Sequence, residues 1–574
     1  MVNQRSHRSG PHAAVAATVP AALVAALPVA VPVAVMLVLG LWGLDRGGVW
    51  RDEAVTLQVA RRSAPEIWRL LHGVDAVHGL YYLLMHAVLA VRPGTAAETA
   101  LRLPSVVGAA ATAGLVAALG VRLAWPRVGL WAGLLYAATP LAGHYAQEGR
   151  SYALVAAGAT GATLQLVRAL TGRPWWPYGV LVALTCLLHE LAVLLVLAHA
   201  LTLALARVPG RVWARWTGAA GAAVLALVPL ALASQAQAAQ VAWLPRPGPG
   251  SAERLLHAFL GVSGLVFWTC LLLAAVALLP DARRRSLPAL PALPTFTSVP
   301  ALAAVALPLA TVPPLTLLAV SQVRPMYDDR YVLYALAGAP LLVAAGADRL
   351  LRAGARLVPR RGAPAPGPRA ALTKPLTRRL TRPLASALAG TVAVALAFFC
   401  QLPLHRQDRT LLTRPDGLAA VSEAAARAVR PGEAVVFLPS IGRRAAVTYP
   451  AGFRGVRDVA LRASGPASGT LYGREIRAGE LRRRLRALDR LWVVAEPYAL
   501  RSPWYPRNPT ERVKLTVVEE EFAPSVPSRE FVRDGVTLRL YSRRPPTDPP
   551  ARSPAHPRMR LPAPPPLPPR PAPR

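Results

Sequence analysis

The segment GVWRDEAVTL, residues 47–56, places one guanidinium and two carboxylates side by side directly after a long apolar run. A carboxylate such as that of Asp52 can act as a general base toward an incoming hydroxyl group. The structural alternative is that Asp52 caps a helix beginning near Ala54, a position where a carboxylate is also favoured. The residue types alone leave both interpretations open.

Three further polar clusters interrupt apolar sequence farther along the chain. They are HGLYY at 78–82, HYAQEGRSY at 144–152 and SQVRPMYDDRY at 321–331. Ionisable groups at membrane depth are costly and usually serve a function. Because the topology derived below places all four clusters on one side of the membrane, we expect them to share a cavity.

The side chains of these clusters define the chemistry that such a cavity could perform. Arg150 and Arg330 can hold a phosphate, because a planar guanidinium gives bidentate contacts and stabilises negative charge on a leaving group. An amphipathic wall for a sugar or a lipid head group could be formed by Tyr81, Tyr82 and Tyr152. A carboxylate base, cationic phosphate clamps and an opening to lipid together suit transfer of a sugar from a lipid-phosphate carrier.

The composition indicates a polytopic membrane protein. Of the 574 residues, 53% are hydrophobic and only 16% are charged. Apolar runs of about 20 residues, the length that a bilayer core requires, alternate with short basic breaks. The net charge of +36 comes largely from Arg clusters between these runs, so we attribute it to the positive-inside rule and predict no nucleic-acid partner. The three cysteines lie within apolar runs and provide neither a disulfide framework nor a CxxC metal site.

Hydropathy and charge predict a multi-pass protein of the cell membrane, with residues 1–17 in the cytoplasm and an uncleaved first anchor. Its first external loop, residues 45–100, is expected to carry interfacial helices, including a capping box at SAPE (63–66) and the segment 77–92. The basic linker 349–382 is expected to lie in the cytoplasm against anionic lipid head groups.

Eleven crossings are predicted in this way. One point stays open, because the break at His189–Glu190 could instead lie within a single kinked helix. The predicted crossings are 18–44, 101–123, 128–143, 151–170, 178–188, 191–206, 217–233, 258–279, 301–320, 331–347 and 385–403.

The hydropathy falls after residue 403, and residues 404–544 are predicted to form a small soluble domain on the outer face. EAVVFLP (433–439) and RLWVVAE (490–496) have the pattern of buried strands, while LAAVSEAAARAV and ELRRRLRAL have that of helices. These elements predict an α/β fold. Residues 545–574 form a Pro/Arg-rich tail that cannot build a core and is expected to be disordered.

Several motifs together resemble those of bacterial family-39-type transferases. The motifs are RDEA, HGLYYLLMHAVL, RLPSVVGAA, AQEGRSYAL and RYVLYALAGAPLL, in that order along the chain. These transferases belong to the GT-C glycosyltransferases, a group that includes protein O-mannosyltransferases and the aminoarabinose transferase. The resemblance covers residues 20 to 400, approximately the membrane module of 18–403.

The resemblance implies an all-α GT-C membrane module and an inverting glycosyltransferase that uses polyprenyl-phosphate sugars on the extracytoplasmic side. Asp52 matches the catalytic position, Glu148 a second acidic site, and Arg150 a residue that binds the carrier phosphate. Arg330 matches a later block of the family, which we assign to the phosphate as well. Contacts to donor or acceptor are expected from Glu53, His78, Tyr81, Tyr82 and Tyr152.

The sequence departs from the family at two places. The family often has His-Pro-Pro before the aromatic pair, whereas this chain has His78-Gly79-Leu80, which weakens the case for His78. Asp328 and Asp329 could chelate a divalent cation with Asp52 or Glu148, although simple pairing with Arg324 and Arg330 is favoured. A local ion pair between Glu148 and Arg150 is the structural alternative for those two residues.

The donor sugar and the acceptor are not determined by these motifs. Mannose or arabinose are expected donors only because relatives use them, and the acceptor is a glycan, a lipid or a protein. Two other functions compete with transfer. Many helices and buried charges could line the path of a transporter or lipid flippase, although the sequence has no internal repeat. The third possible function is a scaffold or sensor built around the 404–544 domain.

Overall fold

The computed structural model describes residues 21–46, 48–91, 97–241, 244–279, 299–357, 376–410, 417–496, 508–525, 530–533 and 536–545. The predicted N-terminal segment 1–17, much of the basic linker 349–382 and nearly all of the 545–574 tail lie outside these residues.

The described residues up to Asp408 form a bundle of helices. Short 3-10 helices at Ala76–His78, Glu190–Val193, Ala238–Val241 and Asp329–Ala337 connect or extend its members. The helices are Ala21–Leu41 (α1), Arg51–Ala60 (α2), Ala64–Leu71 (α3), Gly79–Val91 (α4), Ala97–Leu123 (α5), Pro126–Ala138 (α6), Pro140–Ala146 (α7), Tyr152–Leu170 (α8), Trp176–Leu188 (α9), Leu194–Leu205 (α10), Gly210–Ala236 (α11), Pro249–Leu260 (α12), Gly264–Leu278 (α13), Val299–Val323 (α14), Gly338–Leu357 (α15) and Leu376–Asp408 (α16).

The lengths of these helices confirm a polytopic membrane protein. Within the described ranges, six helices are long and apolar enough to span a bilayer, and a seventh span results if α12 and α13, which meet at an 85° bend, count as one. Shorter apolar helices include α9 and α10. Each of the eleven predicted crossing segments is mostly helical.

The helices α9 and α10 form an antiparallel pair. In α10, His199 contacts the hydroxyl of Tyr178 at the start of α9 at 3.1 Å and that of Thr163 in α8 at 3.0 Å. In one continuous helix, residues 178 and 199 would lie about 30 Å apart at 1.5 Å per residue. The single kinked helix is therefore excluded, and the chain turns back at His189–Glu190.

The bundle has two chemically different ends. At one end, which we call the basic end, Arg127 pairs with Asp348, Arg122 donates to the hydroxyl of Thr171, and Arg349 donates to the carbonyl of Ala277. The other end, which we call the site end, carries α2, α3, α4 and the turn at His189–Glu190. The large bundle core between them is built from α1, α5, α6, α8, α9, α13, α14 and α15.

Of the two helix caps considered for the first loop, the structure contains one. The backbone N–H and the hydroxyl of Ser63 both donate to the Glu66 carboxylate at 2.9 Å, so the predicted capping box at the start of α3 is present. The capping role of Asp52 is wrong, because α2 begins at Arg51 with Trp50 as its N-cap residue. Asp52 lies inside the first helical turn, and its side chain is directed to another partner.

The soluble domain is an α/β unit, as predicted. Its sheet has the order β2-β1-β5-β8-β6, with β7 also on β8, and β1 runs parallel to β2 and β5 but β8 antiparallel to β5. The predicted strands appear as β1 and β5, while α16 continues to Asp408, beyond the predicted boundary at 403. The elements are Leu418–Ala428 (α17), Ala434–Leu438 (β1), Arg444–Thr448 (α18), Arg457–Asp458 (β2), Leu461–Ala463 (β3), Gly465–Ser468 (α19), Arg474–Glu475 (β4), Ala478–Arg486 (α20), Arg490–Ala495 (β5), Pro509–Glu521 (α21), Phe522–Pro524 (β6), Glu530–Arg533 (β7) and Val536–Arg543 (β8).

The domain packs directly on the first loop of the bundle. The hydroxyl of Tyr449 accepts the N–H of Val49 at 3.3 Å and donates to Glu98 at 3.0 Å. Arg61 donates to the carbonyl of Thr448, and Arg62 donates to that of Thr470. A second hydrophobic core joins α2, α3 and α4 to α17, β1, β5 and β8, so these contacts fix the domain against the segment that carries Asp52.

Candidate active site

Asp52 forms an ion pair with Arg330 at the site end. The first turn of α2 directs the Asp52 carboxylate to the Arg330 guanidinium, with 2.8 Å between Oδ2 and Nη1. Arg330 lies in the 3-10 helix Asp329–Ala337, and its guanidinium carbon is 5.7 Å from the Tyr152 ring centre and 5.5 Å from that of Tyr331. Two of the predicted residues, 278 positions apart in sequence, are thus in direct contact.

Arg150 is buried beside this pair. Its Nη2 lies 2.6 Å from Nε2 of His78, and its Nη1 lies 3.3 Å from the Thr56 hydroxyl and 3.5 Å from the Asp52 carbonyl. Burial and the neighbouring arginine hold the pKa of His78 well below its usual value, so this ring is neutral and accepts from Arg150 at Nε2. Despite the loss of both family prolines, His78 is therefore fixed against the predicted phosphate ligand.

Glu148 is buried in the connection between α7 and α8, outside the spanning segments. Neither of its carboxylate oxygens has a hydrogen-bond partner among the described residues, and His144 is 4.0 Å away. Burial is the main cause that raises the pKa of Glu148 to about 7. The alternative of a local Glu148–Arg150 pair does not hold, since Arg150 contacts His78 and Thr56 instead.

Glu53 has a structural position, contrary to its expected contact with a ligand. Both of its oxygens accept from Arg102 at 2.9 Å, and Oε1 also accepts the N–H of Gly149 at 2.8 Å. The side chains of Glu53 and Arg102 are both fully buried. This pair connects α2, α5 and the 147–151 connection, and it leaves Glu53 with no surface for donor or acceptor.

The three predicted tyrosines differ in position. Tyr152 lies beneath the Arg330 guanidinium, in the predicted cavity region. Tyr82 is fully buried and donates its hydroxyl to Oδ2 of Asp75 at 2.9 Å. Tyr81 is fully buried within the core shared by the first loop and the soluble domain, so it supports the site instead of forming its wall.

A cavity of about 390 Å³ opens beside Arg150. Its polar side includes His78 and Arg150 from the prediction, and its apolar side includes Leu191, Val193, Leu227 and Ala231. Arg324 and Tyr331 of the predicted 321–331 cluster also line it. Polar lining residues that sequence analysis did not assign to the site are Asp75, His189, Glu190, Ser234, Gln235, Gln237 and Gln240.

His189 is the one missed residue with a visible sequence signal. It interrupts apolar sequence at the turn between α9 and α10, and its Nδ1 is buried without a partner within the described residues. Its ring lies 5.0 Å from that of Tyr331 and 5.7 Å from that of Tyr152. His86, by contrast, contacts the carbonyl of Ala60 at 3.0 Å.

The acidic residues of the site do not form a metal-binding set. Asp328 pairs with Arg330, as favoured, whereas Asp329 accepts from the Tyr327 hydroxyl at 2.8 Å. Arg324, predicted to join them, instead donates to Gln235 at 2.6 Å. Within the described ranges, no group of three or more His, Cys, Asp or Glu side chains could hold a metal ion. No step of the reaction below is assigned to a metal.

Comparison with known proteins gives structural matches alone. No protein-family model matches the chain, and no curated protein matches it. The crystal structure of ArnT from Cupriavidus metallidurans in the apo state is similar at a TM-score of 0.53 and 14% identity, covering 89% of this chain and 97% of that one. The same protein bound to undecaprenyl phosphate is similar at a TM-score of 0.54 and 13% identity, with the same shares of both chains covered. The Archaeoglobus fulgidus oligosaccharyltransferase complex with Zn and sulfate gives a TM-score of 0.46 and 10% identity, covering 89% of this chain and 72% of that one.

The two ArnT matches cover 89% of the chain, so bundle and soluble domain together form one known architecture. It is that of a polytopic helical membrane protein with a small α/β domain. The chain thus has the fold of ArnT, in agreement with the fold that the motif resemblance predicted.

Proposed function

We propose that this protein is an integral-membrane inverting glycosyltransferase that moves a sugar from a polyprenyl-phosphate carrier to an extracytoplasmic acceptor. The observation that carries this proposal is the position of Asp52. Its carboxylate does not cap α2, and it meets Arg330 beside the buried guanidinium of Arg150. In this proposal, Asp52 is the proton acceptor and Arg150 and Arg330 are the two phosphate ligands of one site.

In the proposed reaction, an acceptor hydroxyl attacks the anomeric carbon while Asp52 takes up the hydroxyl proton. A new carbon–oxygen bond to the acceptor forms, the bond to the carrier phosphate oxygen breaks, and its electron pair leaves with the phosphate. Attack opposite the leaving group inverts the anomeric centre. Arg150 and Arg330 stabilise the negative charge that develops on the departing polyprenyl phosphate.

The buried Nε of Arg150 supports the proposed role of this residue in binding a phosphate. Its Nε is buried and has no hydrogen-bond partner among the described residues. An unsatisfied charged donor in a buried position is costly, and phosphate oxygens would satisfy it. The adjoining cavity has a polar side at Arg150 and an apolar side at Leu227 and Ala231, which suits a lipid-linked phosphate. The similar fold of ArnT, with undecaprenyl phosphate bound, supports the same ligand class.

The test is transfer of radiolabelled sugar from undecaprenyl-phosphate mannose and undecaprenyl-phosphate arabinose by membranes containing equal amounts of wild type or Asp52→Asn. Asn keeps the size and a carbonyl oxygen but cannot take up a proton. We expect wild type to form labelled product and Asp52→Asn to lose at least about 100-fold of the rate, the usual contribution of a general base. Glu423→Gln, an exposed carboxylate on α17, is the matched control and should retain full activity.

Two results would contradict the proposal in different ways. Equal transfer by wild type and Asp52→Asn would remove Asp52 as the base while leaving a transferase. If wild type consumes neither donor, neither conjugate is its substrate. The transporter or flippase alternative would then be favoured.

A further inference from the structure

Asp75 has an unusual backbone conformation. With φ 57° and ψ 30° it lies in the left-handed region, which side-chain-bearing residues rarely adopt. Such conformations persist only where surrounding contacts enforce them, and they are concentrated at functional sites. Asp75 begins the short 3-10 helix that carries His78.

Two glutamines at the end of α11 hold this turn in place. Oε1 of Gln240 accepts the N–H of Asp75 at 3.2 Å, and Oε1 of Gln237 accepts the N–H of Ala76 at 2.9 Å. The amide nitrogen of Gln237 also donates to the carbonyl of Leu71 at 2.8 Å. The turn is thus fixed from a helix more than 160 positions away in sequence.

The turn places Asp75 in the lining of the cavity beside Arg150. Oδ2 accepts the Tyr82 hydroxyl at 2.9 Å, and Asp75 lines the cavity together with His78 and Arg150. Burial is the main cause that raises the pKa of Asp75, while the Arg150 charge acts in the opposite direction and Asp52 in the same direction. Asp75 therefore lies within electrostatic reach of both the phosphate ligand and the base.

We infer that Asp75 binds hydroxyl groups of the donor sugar and selects which sugar-carrying lipid phosphate is used. This inference rests on the proposed function, because it places the donor phosphate at Arg150. A sugar attached to that phosphate lies in the cavity that Asp75 lines together with His78 and Arg150. Carboxylates form strong charge-assisted hydrogen bonds with hydroxyl donors. A donor that lacks the matching hydroxyl leaves a buried carboxylate unsatisfied and is rejected.

The experiment measures binding to the full-length protein in nanodiscs. The ligands are undecaprenyl phosphate, undecaprenyl-phosphate mannose and undecaprenyl-phosphate arabinose, and the variant is Asp75→Asn. Asn tolerates the left-handed conformation and can still accept the Tyr82 hydroxyl through its amide oxygen. We expect wild type to prefer at least one conjugate over the bare carrier. Asp75→Asn should bind the bare carrier within twofold of wild type but lose about tenfold or more for that conjugate.

Two further variants separate binding from folding. Asp75→Gly relieves the left-handed strain but deletes the carboxylate that accepts the buried Tyr82 hydroxyl, so it should lose the preference, and its melting temperature measures the folding cost separately. Asp45 is exposed in the loop between α1 and α2, so Asp45→Asn is the matched control and should keep the preference for the conjugate.

The outcomes are distinguishable. The inference is overturned if Asp75→Asn keeps the wild-type preference, if it weakens binding of the bare carrier equally, or if wild type prefers neither conjugate. If wild type fails to bind undecaprenyl phosphate itself, the proposed function fails and the role of Asp75 fails with it.

Discussion

Neighbouring carboxylates in this site serve different purposes because of helix geometry. Asp52 and Glu53 are consecutive in α2, where each residue is rotated by about 100° from the one before it. The rotation directs Glu53 into the buried pair with Arg102 and Asp52 toward Arg330. Two consecutive carboxylates thus give one buried structural anion and one anion that is paired with Arg330.

Glu148 is the residue whose charge should change near neutral pH. Because burial raises its pKa to about 7, the folded protein binds a proton more tightly than the unfolded chain, whose Glu titrates near its usual value. The stabilisation from the protonated form is complete at acidic pH and is lost as the pH rises through about 7. We expect Glu148 to lower the free energy of unfolding by about 3 kcal/mol between acidic pH and pH 8.

The measurement is the melting temperature of wild type and Glu148→Gln in detergent from pH 4.5 to 8. The difference between the two proteins should shift in favour of Glu148→Gln with rising pH and level off above about 7. A difference that is constant over this range would show that Glu148 keeps an ordinary pKa. Glu423→Gln serves as the exposed control and should give no such trend.

At the scale of elements, Arg102 of α5 fixes the whole segment before α2. It donates to the carbonyls of Leu44 and Gly48 at 3.0 Å and to Glu53 at 2.9 Å. The segment is held from the domain side by Tyr449, which contacts Val49. These contacts explain how a connecting loop can place the start of α2 reproducibly beside Arg330 and Arg150.

We expect Arg102→Met to destabilise the protein by about 3–5 kcal/mol, because Glu53 would remain as a buried charge without a partner. The double variant Arg102→Met/Glu53→Gln should recover much of this loss, since both charges are then removed. Thermal unfolding in detergent measures both effects. A melting temperature of Arg102→Met within 1–2 °C of wild type would contradict the buried pair, and Arg484→Met, in an exposed pair with Glu480, is the control.

The elements that the sequence predicted are those specified by local signals. Apolar length identified the crossing segments, and the Ser63–Glu66 spacing identified the start of α3, because both signals lie within the element itself. The resemblance brought Asp52, Arg150 and Arg330 together through motif order. Contacts between distant segments had no such signal: Asp75 meets Gln240 from 165 positions away, and nothing in the surrounding sequence marks either residue. The partner of Glu53, 49 positions away, was missed for the same reason.

At the scale of the whole molecule, charge separates the two ends of the bundle. The exposed side chains of Arg173, before α9, and Arg211, at the start of α11, lie at the basic end, whereas the soluble domain covers the site end. Cytoplasmic loops carry an excess of Lys and Arg. This asymmetry supports our proposal that the cavity and the domain are extracytoplasmic, where the lipid-linked donor and the acceptor would meet.

The orientation is tested with single cysteines in a chain whose native Cys186, Cys270 and Cys400 are replaced. We expect Glu480→Cys, on the exposed surface of α20, to react with a membrane-impermeant maleimide in right-side-out vesicles. Arg211→Cys, at the start of α11, should react only after detergent opens the vesicles. Labelling of Arg211→Cys in sealed vesicles, with protection of Glu480→Cys, would invert the topology. The catalytic proposal would then have to draw its donor from the cytoplasmic leaflet, because the cavity opens at the same end as the domain.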